Sequence, residues 1–173
     1  MLGTGAGDVV VLPDDTALAG PAARAAARAR QEGREVAVLP TRSPLQALAA
    51  IAVADPTRRF ADDVIAMTEA AAATRWAEVE VAATEALTLA GRCRPGDTLG
   101  VVEGEVVLVG AEQETVVREL LDRLLAAGGE LVTLVGGELA GRAAAHVTAR
   151  HPTVEVTCHA GDPGARPLLI GVE

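Results

Sequence analysis

Short runs of Val, Leu and Ala, each closed by Pro, Gly or Asp and each followed by a helix-forming stretch, constrain this chain most. Val9 to Leu12 is a continuous apolar run ended by Pro13-Asp14-Asp15. Such a run is short enough for a buried strand, and its ending reads as a polar loop. Thr16 to Glu32 is dense in Ala and Arg, with Pro21 near its start and Gly33 at its end. Early Pro and late Gly fit the orphan N–H and C=O groups of a helix. Glu35 to Leu39 repeats the strand pattern and stops at Pro40-Thr41. Strand, helix and strand form a β-α-β unit of about thirty residues, the size of a parallel crossover.

The rest of the chain reads the same way with one interruption. Ser43-Pro44 opens a helix to about Ala54, apolar on nearly every side and so expected to be buried. Thr57 to Arg75 is a second helix, with Phe60, Val64, Met67 and Ala71 on one face. Glu78 to Val81 alternates polar and apolar residues, as an exposed edge strand does. Arg94-Pro95-Gly96-Asp97 is a turn, and Thr98–Val102, Glu103-Gly104 and Glu105–Val109 form a β-hairpin. Glu112 to Ala127 is an amphipathic helix facing inward through Val116, Val117, Leu120, Leu121, Leu124 and Leu125, and Gly128-Gly129 ends it. Glu130–Val135, Glu138–Arg150, Thr153–Cys158 and Leu168–Val172 are then strand, helix, strand and strand. The expected fold class is α/β: two small lobes with mainly parallel strands flanked by helices, plus an antiparallel hairpin section. The lobes are residues 8–77 and 111–173, the hairpin section is 78–110, and residues 1–7 read as a small-residue linker remnant.

Composition narrows the function. Phe60 and Trp76 are the only aromatic residues, so the core must be built from Ala, Val and Leu, and no base-stacking platform is available. The net charge of −9 argues against a nucleic-acid backbone binder. All fifteen basic residues are Arg, so a P-loop lysine is excluded. G-x-G-x-x-G after a strand, G-x-S-x-G and H-E-x-x-H are absent as well. Cys93 and Cys158 have no metal-knuckle spacing and read as small buried hydrophobes. The N-terminus lacks a charged n-region and a long apolar h-region, and the longest charge-free apolar stretch is too short to span a bilayer. The expected location is the cytoplasm.

In open α/β sheets the functional loops lie beyond the carboxyl ends of strands. That selects residues 13–16, 40–43, 136–138 and 159–164. Thr41, Arg42 and Ser43, with Gln46 one turn on, bring hydroxyls and a guanidinium to a helix N-terminus, which suits a phosphate or carboxylate. The plain alternative is that Ser43 caps its helix and Thr41 ends its strand. Asp14 and Asp15 form an acidic pair that either holds a cation or caps the following helix. His159, just past a strand end, is placed to carry a phosphoryl or covalent load, or simply faces solvent. Gly161, Pro163 and Gly164 around Asp162 spell a tight turn.

Several fragments in fixed order carry a resemblance. They are Val10-Val11-Leu12-Pro13-Asp14-Asp15, Val38-Leu39-Pro40-Thr41-Arg42-Ser43-Pro44-Leu45-Gln46, Asp55-Pro56, Met67, Gly136-Gly137, His159-Ala160-Gly161-Asp162-Pro163 and Ile170-Gly171-Val172-Glu173. From Asp8 onward the chain resembles the C-terminal domain of the bacterial fatty acid kinase A subunit. That family is also described as Dak phosphatase-like or YloV-like. The resemblance implies a DegV/dihydroxyacetone kinase-like fold. It implies a domain that is not catalytic on its own and docks a DegV-like fatty-acid-binding protein, whose acyl carboxylate is phosphorylated elsewhere. ATP and Mg²⁺ belong to a separate kinase domain, so no cofactor is expected in this chain, and no metal site. Asp14, Asp15, Thr41, Arg42, Ser43, Gln46, Gly161 and Asp162 are the expected ligand- or partner-binding residues. Where the family has Asn after the first Leu-Pro this chain has Asp14 and Asp15, and where it has Asn before the Met this chain has Asp63. The family's Arg-Asp pair aligns with Thr84-Glu85.

Two other readings stand beside docking. One is a phosphotransfer or dihydroxyacetone-type covalent carrier using His159, by analogy of fold. The other is a small-anion sensor at Thr41–Gln46. The acidic charge predicts a partner with a basic rim, and a homodimer is a further expectation.

Overall fold

The structure is a computed structural model that describes residues 5–161 and 167–173. The chain divides at Thr74/Arg75 into two units, Met1–Thr74 and Arg75–Glu173.

In the first unit β1 (Asp8–Val11) pairs in parallel with β2 (Glu35–Val38), joined by a 3₁₀ turn (Thr16–Leu18) and α1 (Ala19–Gln31). Because strand side chains alternate, the pair has two apolar faces. Val9, Val11, Val36 and Val38 pack with Ala26 and Ala29 of α1. Val10, Leu12, Ala37 and Leu39 pack on α2 (Pro44–Ala52) and α3 (Phe60–Ala73) through Ala50, Val64, Met67 and Ala71. Burial on both faces explains why these strands read as unbroken apolar runs. Val64, Met67 and Ala71 of the expected α3 face pack as expected, whereas Phe60 at its start is outside this cluster. The expectation of a buried α2 fails: Leu48 and Ile51 are exposed, because α2 packs through Leu45, Gln46, Ala49 and Ala50 alone.

The second unit holds a six-stranded sheet in the order β7-β6-β3-β10-β8-β9. Its elements are β3 (Arg75–Val81), β6 (Thr98–Val102), β7 (Glu105–Gly110), α4 (Gln113–Leu125), β8 (Leu131–Gly136), α5 (Glu138–Arg150), β9 (Glu155–Ala160) and β10 (Leu168–Val172), with β4 (Ala86–Thr88) and β5 (Gly91–Cys93) forming a separate short hairpin. All six predicted apolar residues of α4 are buried. Val117, Leu120, Leu121, Leu124 and Leu125 join Ala77, Val79, Val132, Leu134, Leu168, Ile170 and Val172, with Leu139, Ala140, Ala143 and Val147 of α5, in a core without aromatic rings. The Glu103-Gly104 turn between β6 and β7 has positive φ at both residues, which suits the twist of a two-residue hairpin.

The α/β class stands, with parallel pairing inside each β-α-β unit: β1 with β2 and β8 with β9. The other pairs in the large sheet are antiparallel, so the hairpin strands extend the same sheet and do not form a middle section of their own. The expected edge strand is likewise corrected. β3 is central, flanked by β6 and β10, and Glu78 is buried. Alternation reports a two-faced strand but not its neighbours, and β10 arrives from far along the chain. Cys93 is buried as expected, whereas Cys158 is exposed because β9 is an edge strand. Among the described residues no helix is long and apolar enough to cross a membrane.

Candidate functional site

In the first unit the loops after β1 and β2 meet. Leu39 N–H donates to the Val11 carbonyl at 3.0 Å, one step beyond the strands. The Thr41 hydroxyl then donates to the Pro13 carbonyl at 2.6 Å, and Thr41 is only 2% exposed. This bond joins the loop carrying Asp14 and Asp15 to the loop carrying Arg42 and Ser43.

Ser43 is the N-cap of α2, with extended backbone (φ −144°, ψ 147°) and Pro44 in the first turn. Its Oγ accepts from Leu45 N–H at 3.2 Å. Gln46 reaches back, and its Oε1 accepts from Arg42 N–H at 2.9 Å. The Ser-x-x-Gln spacing is that of a capping box, with the returning bond made one residue before the cap. Both Ser43 and Gln46 are buried, while Arg42 is exposed and its guanidinium has no partner among the described residues.

Asp15 caps the 3₁₀ turn, its Oδ1 accepting from Ala17 N–H at 2.8 Å, and Asp14 is exposed. Among the described residues no three His, Cys, Asp or Glu side chains come together to hold a metal ion. The site is therefore a braced loop pair whose hydroxyls and carboxamide oxygen serve the fold. Arg42, Asp14 and the capping Asp15 are the charged groups it turns to solvent, the Arg42 and Asp14 side chains with no partner among the described residues.

The α2–α3 connection is braced in a similar way. Asp55 Oδ1 accepts from the Thr57 hydroxyl at 2.7 Å and from Thr57 N–H at 2.9 Å. Asp63 Oδ1 accepts from Asp55 N–H at 2.9 Å, a role that an Asn oxygen fills equally well. The Thr57 side-chain bond, then its backbone bond, hold the Asp55 carboxyl below the usual carboxylate range, and Arg58 adds to this.

The remaining expected residues lie in the second unit. His159 is not past the end of a strand: it sits within β9, opposite Val135, and is exposed. The strand runs two residues further than its apolar pattern because pairing with β8 continues through Ala160. No described side chain hydrogen-bonds its ring. Gly161 N–H donates to the Gly136 carbonyl at 3.3 Å. A Cβ at Gly161 would stand 2.7 Å from Val135 Cγ1, so close approach of the two chain segments requires Gly there. Asp162 lies outside the described residues, as do Pro163 and Gly164. Glu85 at the Thr84-Glu85 position pairs with Arg92 at 2.7 Å across the β4–β5 hairpin.

One cluster had no signal in the histidine spacing. Asp122 of α4 meets His146 Nε2 at 2.9 Å, His151 Nε2 at 3.3 Å and Arg150 Nε at 3.2 Å, tying α4 to α5 and its C-terminal end. Burial pushes the Asp122 carboxyl up, but the His146 and His151 hydrogen bonds and the nearby positive charge outweigh it and hold the group below its ordinary value. The partners are far apart in sequence, so only packing of the two helices brings them together.

No curated protein matches the chain. Solved structures match its fold over nearly the whole length. The Streptococcus pneumoniae fatty acid kinase B3 protein loaded with linoleic acid aligns with TM-score 0.70 at 13% identity, covering 98% of this chain and 73% of that one. A DegV family protein from Ruminococcus gnavus aligns with TM-score 0.68 at 13% identity over 99% and 74% of the two chains. A DegV family protein from Eubacterium eligens loaded with heptadecanoic acid gives 0.66 at 13% identity over 98% and 74%. These likenesses establish a DegV fold. The sequence profile of the FakA-like C-terminal family, which covers the C-terminal part of proteins like the A subunit of fatty acid kinase, matches residues 2–173, and the chain belongs to that family.

Proposed function

We propose that this chain is the non-catalytic docking part of a fatty acid kinase acting in the cytoplasm. It holds a DegV-like fatty-acid-binding protein while a separate kinase domain, bringing ATP and Mg²⁺, phosphorylates the acyl carboxylate. The family match over residues 2–173 is the observation that carries this reading. The loop geometry supports it. Thr41, Ser43 and Gln46 are occupied in bracing the two loops, and Arg42 and Asp14 present opposite charges on a preorganised edge. Such an edge suits recognition of a protein surface better than chemistry at a substrate atom.

The test is to mix this chain with ATP, Mg²⁺ and an oleate-loaded DegV-family protein. The expected outcome is a complex seen by calorimetry and no acyl phosphate trapped by hydroxylamine. Acyl phosphate made by this chain without a kinase domain would refute the reading. The phosphotransfer alternative draws less support, since His159 lies on an open strand with no acidic partner for its ring among the described residues.

A further inference from the structure

Exposed large apolar side chains fall in both units, but two stand apart. Leu87 and Leu89 are 83% and 84% exposed, against 57% for Ile65, the next highest among the described residues. They sit on the β4–β5 hairpin, which is held firmly. The Thr88 hydroxyl donates to the Gly91 carbonyl at 2.7 Å and accepts from Ala90 N–H at 3.2 Å. Glu85 and Arg92 close its open end. Cys93 anchors it in a cluster with Ala82, Leu99 and Val101. Strand alternation then puts Leu87, paired with Arg92, on the outer side. Beside the two leucines lies a cleft of about 470 Å³, bounded further by Gly104, Glu105 and Val106. A hairpin whose backbone is already fixed loses less freedom when its side chains are covered, which favours an interface anchor.

Charge decides what covers them. The second unit has fifteen Asp and Glu against eight Arg, so it carries −7 of the chain's −9. Glu105 flanks the cleft and Glu103 stands beside it on the β6–β7 turn, both exposed and without an ion-pair partner among the described residues. A second copy of the chain would set these carboxylates against one another. A partner with Arg or Lys around an apolar socket would complement them.

We propose that the β4–β5 hairpin, through Leu87 and Leu89 with Glu105 at its flank, is a contact by which this chain engages a protein offering an apolar socket rimmed by basic side chains. This rests on the docking reading above and adds an apolar anchor in the second unit to the charged edge of the first. The probe is a DegV-family protein from the same cell, loaded with oleate and titrated calorimetrically into the full 173-residue chain. L87E/L89E is expected to weaken binding roughly thirtyfold or more, and the milder L87S/L89S to weaken it less. Circular dichroism of each variant should match the parent. E105K is expected to slow association and flatten its salt dependence. L48E/I51E, which alters exposed apolar residues of the first unit, is expected to leave affinity unchanged. Parent-like binding by L87E/L89E overturns the hairpin assignment while the docking reading stands. Loss of a parent dimer in L87E/L89E with partner affinity intact overturns it in favour of self-association. Absence of binding by the parent chain removes the docking reading and the hairpin assignment together.

Discussion

The junction of β7 with α4 offers a double-mutant test of packing. Gly110 ends β7 with φ outside the left-handed region, so Ala is allowed by the backbone there. Its added Cβ, however, would stand 2.8 Å from Val116 Cγ2 on the first turns of α4. Ordinary carbon contacts lie at about 3.5–4.0 Å. Val116 is 4% exposed and has one side-chain torsion with which to give way. Overpacking of this kind costs about 1–3 kcal/mol, offset by about 0.5–1 kcal/mol from the stiffer unfolded chain. Gly110→Ala should therefore destabilise by about 1–2 kcal/mol. Val116→Ala removes two buried methyl equivalents at about 0.8 kcal/mol each and leaves a small cavity, in all about 2 kcal/mol. In the double variant the new methyl at position 110 occupies the space that the valine vacated. Its destabilisation should be about 1.5–2 kcal/mol, well below the sum of the singles, for a favourable coupling of about 1.5 kcal/mol. Urea unfolding followed by Trp76 fluorescence measures this, since the only tryptophan is buried in β3 of the same unit. The m-value must stay constant across the four proteins. Effects that add within about 0.5 kcal/mol, or a neutral Gly110→Ala, would show that the close approach does not constrain this junction.

Two further outcomes test the polar clusters. Asp122 has a depressed folded-state pKa, so its contribution is present above the unfolded carboxylate range and is lost as pH falls through the folded value. Asp122→Asn should therefore lower Tm at about pH 6–7, and the gap to the parent should narrow on acidification below about pH 4. A gap independent of pH would rule out the charged carboxylate as its source. Ser43→Ala should cost about 1 kcal/mol by removing the α2 cap, and Thr41→Val a similar amount by freeing the Pro13 carbonyl, both read in thermal melts. If neither variant shifts the melt, the bracing role of this loop pair is mistaken.

Legibility in the sequence followed the range of the forces involved. The inward face of α4 is legible because its six apolar positions lie on one helical side, although the helix spans Gln113–Leu125 and not 112–127, and α5 is legible because Gly137 and Pro152 bracket it. The β6–β7 turn was readable because Glu103-Gly104 is a local conformational requirement. The reading of α2 failed because an all-apolar helix gives no sign of how much of it will find a neighbour, and Leu48 and Ile51 stay exposed in the fold. β3 was misplaced to an edge because its neighbours come from both sides of the sheet and one of them lies far along the chain. Within the candidate site, the structure brings together the residues of the two loops after β1 and β2. What the sequence concealed was that Thr41 reaches across to Pro13, a contact between residues 28 apart. The Asp122 cluster was hidden for the same reason, its partners being 24 and 29 residues away.

The position of β10 bears on how the chain is made. The ribosome releases β3, β6 and β7 first and β8 and β9 later, yet the strand that joins these two groups is the last of the six to emerge. Until residues 168–172 are available, β3 and β8 each present an unpaired edge, where chaperones or another nascent chain can reach it. Translation stopped a few codons before Leu168 would therefore leave two half-sheets and no finished second unit. The first unit pairs two strands separated by a single crossover and has no such wait.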